Sequence, residues 1–466
     1  MPGTRDQAIA RIERYFDDGG FVADLARRVA IPTVSQEPGT GGDMAAYLGD
    51  ELRPVLGAMG YECTILDNPV SEGRPFLVGR LVEDPERSTV LTYGHGDVVR
   101  GQDDQWSAGR SPWTLSVEGE RIYGRGTADN KGQHTINLAA LDAVIAERGS
   151  LGFNSTVLIE TGEEAGSPGL DEFCHQHRRL LAADVLVGSD GPRLRRDRPV
   201  IFGGTRGAIN FDLRLDLRAG GHHSGNWGGL IANPGLILAH ALAAIADRRG
   251  QIAVPEWRPG SLTPAVRDAL AKLDVGGGDG NDGNDGGGPA VDPDWGEESL
   301  TPAERVFGWN SFEVLAFETG NPARPVNAIP PRAFAHCQLR FVVGTDADDV
   351  IPALRRHLDA QGFSAVEIVP TEIAMRPTRL DPDDPWAKLA VASIEATTGA
   401  PPDVVPNLGG SLPNDVFVET LGMPTVWVPH SYPACSQHAP DEHLLAPLAR
   451  EGLRMMTGLF WDLGER

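Results

Sequence analysis

Imidazole and carboxylate side chains recur in this chain in five short segments, four of them flanked by glycine. LTYGHGD (91–97) is an apolar, β-branched stretch that closes on His95 and Asp97. GRGTADNKG (124–132) follows with Asp129, TGEEAGS (161–167) with Glu163 and Glu164, GSDG (188–191) with Asp190, and QHAP (437–440) with His438. Each piece is read as sitting at the end of a strand, where a loop turns its side chains into one crevice. Imidazoles and carboxylates drawn from five segments suit a two-metal hydrolytic site.

The individual signals differ in weight. His95 and Asp97 stand at i and i+2, so on a strand they share a face, and Asp97 is placed to accept the second N–H of a metal-bound imidazole. His-x-Asp is common, however, and alone says little. Asp129 precedes a helix that starts near Lys131, so an N-cap is the ordinary reading and a metal bridge the alternative. Glu163 and Glu164 are adjacent and repel unless a cation or a proton intervenes. Their side chains diverge, so one can bind metal while the other faces a metal-activated water as general base.

The elements that must carry these groups alternate. Helical periodicity runs over 6–29 and 42–60, interrupted at Pro32–Ser35, and recurs at 131–147 and 169–181. Strand-like runs lie at 76–81, 89–93, 156–159 and 184–187. This is the texture of an α/β layered sheet with ligands at the strand carboxyl ends. Beyond Arg206 the pattern changes to strand 208–215, helix 233–248, alternating runs 311–318 and 333–343, helix 346–360 and a strand near 364–371. Strand, helix, two strands, helix, strand describes a small α+β unit with an antiparallel sheet, and the first texture returns at 384–466. The expected division is therefore a split domain, 1–205 and 380–466, around an insert, 206–379. Within the insert, the Gly/Asp-rich run 275–288 lacks the ordered spacing and closing Glu of an EF-hand and reads as a flexible loop.

Composition narrows the partners. A net charge of −24 argues against nucleic acid or an anionic membrane. No apolar run approaches the ~20 residues of a membrane span. MPGTRDQAIARIERYF lacks the apolar segment of a secretory signal, and Cys63, Cys174, Cys337 and Cys435 show no paired spacing, so reduced cysteines and a cytoplasmic location are expected.

Taken together, GHGDVV (94–99), Trp106 and Pro112-Trp113 followed by IYGRGTADNKG (122–132), ETGEEAGS (160–167), SDG (189–191) and QHAPDEHL (437–444) carry a resemblance. The chain resembles the dizinc metallopeptidase family of aminoacylases, carboxypeptidase G, succinyl-diaminopimelate desuccinylase and the cytosolic, carnosine-type dipeptidases. The resemblance implies a mixed-sheet zinc-exopeptidase catalytic domain and an inserted ferredoxin-like lid and dimerisation domain. It implies two Zn2+ per chain, with Co2+ or Mn2+ as substitutes. His95, Asp129 and Asp190 would hold one ion, and Asp129, Glu164 and His438 the other. Glu163 would be the general base, Asp97 would orient His95, and the Asp129–Asn130 peptide would be cis.

GHHSG (221–225) followed by Gly228-Gly229 is similar to the dipeptidase branch, which implies that His223 reaches the active site of a partner subunit in a homodimer. In the same branch Asn327, Arg340 and Ser411, the last within GGSLP (409–413), would contact substrate, and the planar Arg340 fork suits a carboxylate. Asp190 stands where acyl-removing members often carry Glu, which favours a substrate with a free amine. The leading expectation is a dipeptidase or related exopeptidase acting on small peptides. An N-acyl-amino-acid deacylase or other amidohydrolase is the alternative, and an inactive binding protein on the same fold the remote one.

Overall fold

The computed structural model describes residues 3–275, 291–370 and 375–466, so the Gly/Asp-rich run 275–288 lies outside the described residues except for Val275. The described residues form an eight-stranded mixed sheet. Its order is Glu62–Leu66, Phe76–Leu81, Asn154–Glu160, Thr89–His95, Val185–Gly188, Thr425–Trp427, Val200–Phe202 and Asp403–Val405. Thr89–His95 lies parallel to both Asn154–Glu160 and Val185–Gly188, so three neighbouring strands run their carboxyl ends to the same edge. The crossover from the first of these to the second is the helix Lys131–Arg148, as parallel pairing requires.

All seven residues of Asn154–Glu160 are buried, and Thr89–His95 is buried from Val90 onward. Such strands read as continuous apolar runs because helices cover both faces of the sheet. One face packs on Lys131–Arg148 and the C-terminal helix Ala446–Leu463, joined by Ile12, Phe21, Leu25 and Leu141. On the other face Trp427 stacks on Phe202 with ring centroids 5.9 Å apart and meets Tyr93 edge-on at 5.6 Å.

A second sheet has the order Ser311–Thr319, Arg332–Phe341, Gly207–Asp216, Glu367–Pro370, all antiparallel. With helices Pro234–Ile245 and Val350–Ala360 on one face, this is a ferredoxin-like arrangement. Phe211, Leu213 and Leu215 point into that helix-covered face, while Asn210, Asp212 and Arg214 line the other.

Two local readings change. The helical stretch over 6–29 is two helices, Arg5–Asp17 and Gly20–Val29, because Gly19 adopts φ 83° between them. The strand that carries His95 ends there, so Asp97 belongs to the following loop and does not share a strand face with it.

The loop holding Asp129 is fixed by a buried acid. Glu442 Oε1 accepts the main-chain N–H groups of Gly126, Ala128 and Asp129 at 3.0, 3.0 and 3.1 Å. Its Oε2 accepts from Arg125 Nη1 at 2.8 Å, and both side chains are about fully buried, at 1% exposure each. Removing one partner from a buried ion pair strands the other charge without water. Glu442→Ala should therefore lower unfolding stability by about 3–5 kcal/mol in a denaturant titration. Glu442→Gln should cost less, since its amide oxygen still accepts N–H groups. Wild-type stability in Glu442→Ala would show that the loop does not depend on this acid.

Candidate metal centre

The carboxyl ends of the three parallel strands deliver the chemistry. His95 closes one strand, Glu163 and Glu164 follow the end of the second, and Asp190 follows the third. Asp129 arrives from the loop before Lys131–Arg148. It does not cap that helix, whose N-cap is Asn130, and the Asp129–Asn130 peptide is cis. His438 departs from expectation. It sits in a loop, not at a strand end, with φ 61°, between Ser436 and Asp441, which are also left-handed.

His95 Nε2 lies 3.0 Å from Asp129 Oδ1, 3.6 Å from Asp190 Oδ2 and 4.0 Å from Glu163 Oε2. His438 Nε2 lies 3.0 Å from both Asp129 Oδ2 and Glu164 Oε2. Two groups therefore have the chemistry and spacing to hold a cation: His95, Asp129 and Asp190, and Asp129, Glu164 and His438. Within each, the ligand atoms all lie within 4.8 Å of one another, and Asp129 offers one oxygen to each group.

Asp97 acts on both sides of the cluster. Its carboxylate accepts the N–H groups of Glu163 and Glu164 at 3.1 and 3.0 Å, which sets the turn that presents both acids. Its carbonyl is the nearer acceptor for His95 Nδ1, at 3.0 Å, with the carboxylate oxygen at 3.5 Å. The imidazole is thus held by the main chain of the residue expected to orient it, and the side chain supports this from farther away.

Charge in the cluster is unbalanced. Burial, reinforced by the Asp129 charge, pushes the Glu164 and Asp190 carboxyls up to about 7, and burial raises Glu163 well above its ordinary range. Burial would raise Asp129 too, but hydrogen bonds from His438 and His95 outweigh it and hold Asp129 ionised. Asp190 Oδ2 and Glu164 Oε1 are buried with no hydrogen-bond partner. Buried polar atoms are ordinarily satisfied, so oxygens left bare beside imidazoles fit a divalent cation. Carboxylate and imidazole donors also suit zinc and its neighbours in the first transition row.

The remaining candidates form two pairs. His223, in a short ladder opposite Ala328, takes the Gly225 N–H on Nδ1 at 3.1 Å, and the Asn327 carbonyl accepts from Ser224 N–H and Oγ at 2.9 and 3.1 Å. Both are exposed, and the bonds from Ser224 tie the His223 loop to the Asn327 segment. Arg340 and Ser411 meet directly, with Nη1 donating to Oγ at 2.8 Å. Sequence reasoning passed over Glu442. Its only signal was its place in QHAPDEHL, because an acid three residues before a strand end has no characteristic spacing. It passed over Gln437 as well, whose amide donates to Asp129 Oδ2 beside His438.

The described residues contain no helix long and apolar enough to cross a membrane. Comparison with known proteins agrees with the geometry. Over its full length the chain is 25% identical to a mouse Beta-Ala-His dipeptidase, covering 96% of that protein. Over 54% of its length it is 32% identical to a Cys-Gly metallodipeptidase of Candida albicans, covering 53% of it. The fold matches an M20 family metallo-carboxypeptidase from Sulfolobus solfataricus with a TM-score of 0.80 at 24% identity, over 96% of this chain and 99% of that one. The model of peptidase family M20/M25/M40 matches residues 91–462, a span that holds every residue of the acidic cluster, and the chain belongs to that family of hydrolytic metalloenzymes.

Proposed function

We propose that the chain is a dipeptidase that holds two divalent ions, zinc in the first instance, and uses Glu163 as general base. The observation that carries this reading is a largely buried cluster, with His438 half-exposed at its rim, in which two ligand groups share the two oxygens of Asp129 while Glu163 stands beside them as a further acid. His95, Asp129 and Asp190 would hold one ion, and Asp129, Glu164 and His438 the other. Bound divalent ions supply Lewis acidity and lower the pKa of water toward neutrality. Burial strengthens the proton affinity of Glu163, which suits a carboxylate that takes a proton from water and returns it to the leaving amine.

Dipeptides are the substrate class because relatives named for Beta-Ala-His and Cys-Gly substrates match this chain, and because Arg340, held by the Ser411 hydroxyl, presents a guanidinium suited to a C-terminal carboxylate. A panel of free dipeptides and N-acyl amino acids, run on zinc-, cobalt- and manganese-loaded protein, tests this. Free dipeptides should give the higher kcat/KM and chelation should abolish turnover. Preference for N-acyl amino acids would make the enzyme a deacylase.

The two adjacent acids divide the work. Glu163→Gln should retain both ions by elemental analysis and lose most turnover, because an amide cannot accept the proton. Glu164→Gln should instead lose about one ion per chain. Equal metal loss in the two variants would reverse or erase this assignment.

The split domain 1–205 with 380–466 and the insert 206–379 suit a catalytic body and a dimerising lid. The edge strand Ser311–Thr319 exposes Val314, Leu315 and Phe317, with Trp227 and Leu230 also exposed in the insert. An unpaired apolar edge is a template for pairing with a second copy. In the resulting homodimer His223 would cross to the neighbouring site and stabilise charge developing on the substrate carbonyl. The four cysteines are unpaired, which suits the cytoplasm. Mixing inactive Glu163→Gln with inactive His223→Ala chains should restore activity, since one site of each mixed dimer carries both groups intact. Freely exchanging subunits that stay inactive would show that His223 does not act across the interface.

A further inference from the structure

Arg206 stands where the chain passes from strand Val200–Phe202 of the large sheet to strand Gly207–Asp216 of the small one. It engages the loop that carries Ser411 three times. Its N–H donates to the Leu408 carbonyl at 3.1 Å, its Nε donates to the Gly409 carbonyl at 2.8 Å, and its carbonyl accepts from Ser411 Oγ at 2.7 Å. The same Ser411 Oγ accepts from Arg340 Nη1 at 2.8 Å. One hydroxyl thus bridges the main chain of one arginine and the guanidinium of the other.

The two guanidiniums also share a surface. Arg340 lies opposite Ser311 on one neighbouring strand and Ala208 on the other, so the three side chains rise from one face of the sheet. Arg206 Nη1 reaches Ser311 Oγ at 3.4 Å, which brings its guanidinium over that face. Burial pulls the Arg206 guanidinium down to about 10, with the Arg340 charge as the next cause, and burial lowers Arg340 as well. Neither guanidinium forms an ion pair with a carboxylate among the described residues. Glu313, on the edge strand, offsets part of the Arg206 charge from beyond ion-pair reach. Arginines this sheltered ordinarily hold a carboxylate. Two of them side by side, in a chain of net charge −24, form a receptor for an anion.

We propose that Arg206 is a second guanidinium of the substrate-carboxylate site, so that the C-terminal carboxylate of a dipeptide is gripped between Arg206 and Arg340 with Ser411 Oγ fixed between them. The inference rests on the dipeptidase reading, because it needs a substrate that ends in a free carboxylate. The anion relieves the repulsion between two partly desolvated cations, and each guanidinium contributes charge-assisted hydrogen bonds. An uncharged C-terminus gains neither.

A dipeptide and its C-terminal amide, assayed on wild-type enzyme, Arg206→Gln and Arg206→Lys with metal content matched, test the proposal. Wild-type enzyme should favour the free acid. Arg206→Gln should raise KM for the acid by about tenfold or more, the worth of one charged hydrogen bond, with little change in kcat and none in KM for the amide. Arg206→Lys, which keeps the charge and loses the fork, should fall between, and it carries the test alone if the glutamine variant does not fold. A KM increase shared equally by acid and amide, or no increase, overturns the role of Arg206 while leaving the dipeptidase reading intact. Wild-type enzyme indifferent to amidation overturns both.

Discussion

Carboxylates gathered where adjacent parallel strands end, and in the loop of Asp129, are largely buried and set the terms for the rest of the molecule. Glu163, Glu164, Asp129 and Asp190 converge with two imidazoles in a space where desolvation drives three of the four acids toward their neutral forms. Only Asp129, between His95 and His438, is held ionised by hydrogen bonds. Such a set is unfavourable unless positive charge neutralises it, and divalent cations do so while using the lone pairs that the protein leaves bare.

Much of the surrounding structure keeps those acids where repulsion would not leave them. Asp97 ties down the turn of Glu163 and Glu164 by their N–H groups, and Glu442 ties down the Asp129 loop in the same way. In both cases a buried carboxylate accepts several main-chain donors, so the loops are fixed through their backbones and their side chains stay free for ligands. Asn130 adds a link to the third strand, its amide donating to the Ser189 carbonyl at 2.8 Å, immediately before Asp190. The parallel sheet supplies rigidity beneath these loops because its strands are buried on both faces.

The two sheets divide sign as well as position. The large one gathers the acids, while the small one presents arginines at its junction with the Ser411 loop.

The sequence by itself determined the acids and imidazoles of the cluster, because all but His438 stand in glycine-bounded segments, most of them at the end of an apolar run, and that pattern survives without knowledge of the fold. It also determined the two textures, continuous apolar runs for strands buried on both faces and alternation for Gly207–Asp216 with one face open. Three-residue strands such as Thr425–Trp427 and Asp403–Val405 were not legible, since so short a run has no period to detect. Nor was the left-handed loop of His438, since no glycine marks its positive-φ positions. Tertiary structure alone decided that Glu442 would hold the Asp129 loop from about 313 residues away and that Arg206 would meet Ser411 across a separation of 205. A hydrogen bond to a main-chain donor leaves no imprint on the residue that donates. Convergence between distant segments is therefore invisible until the sheets fix where each chain segment ends.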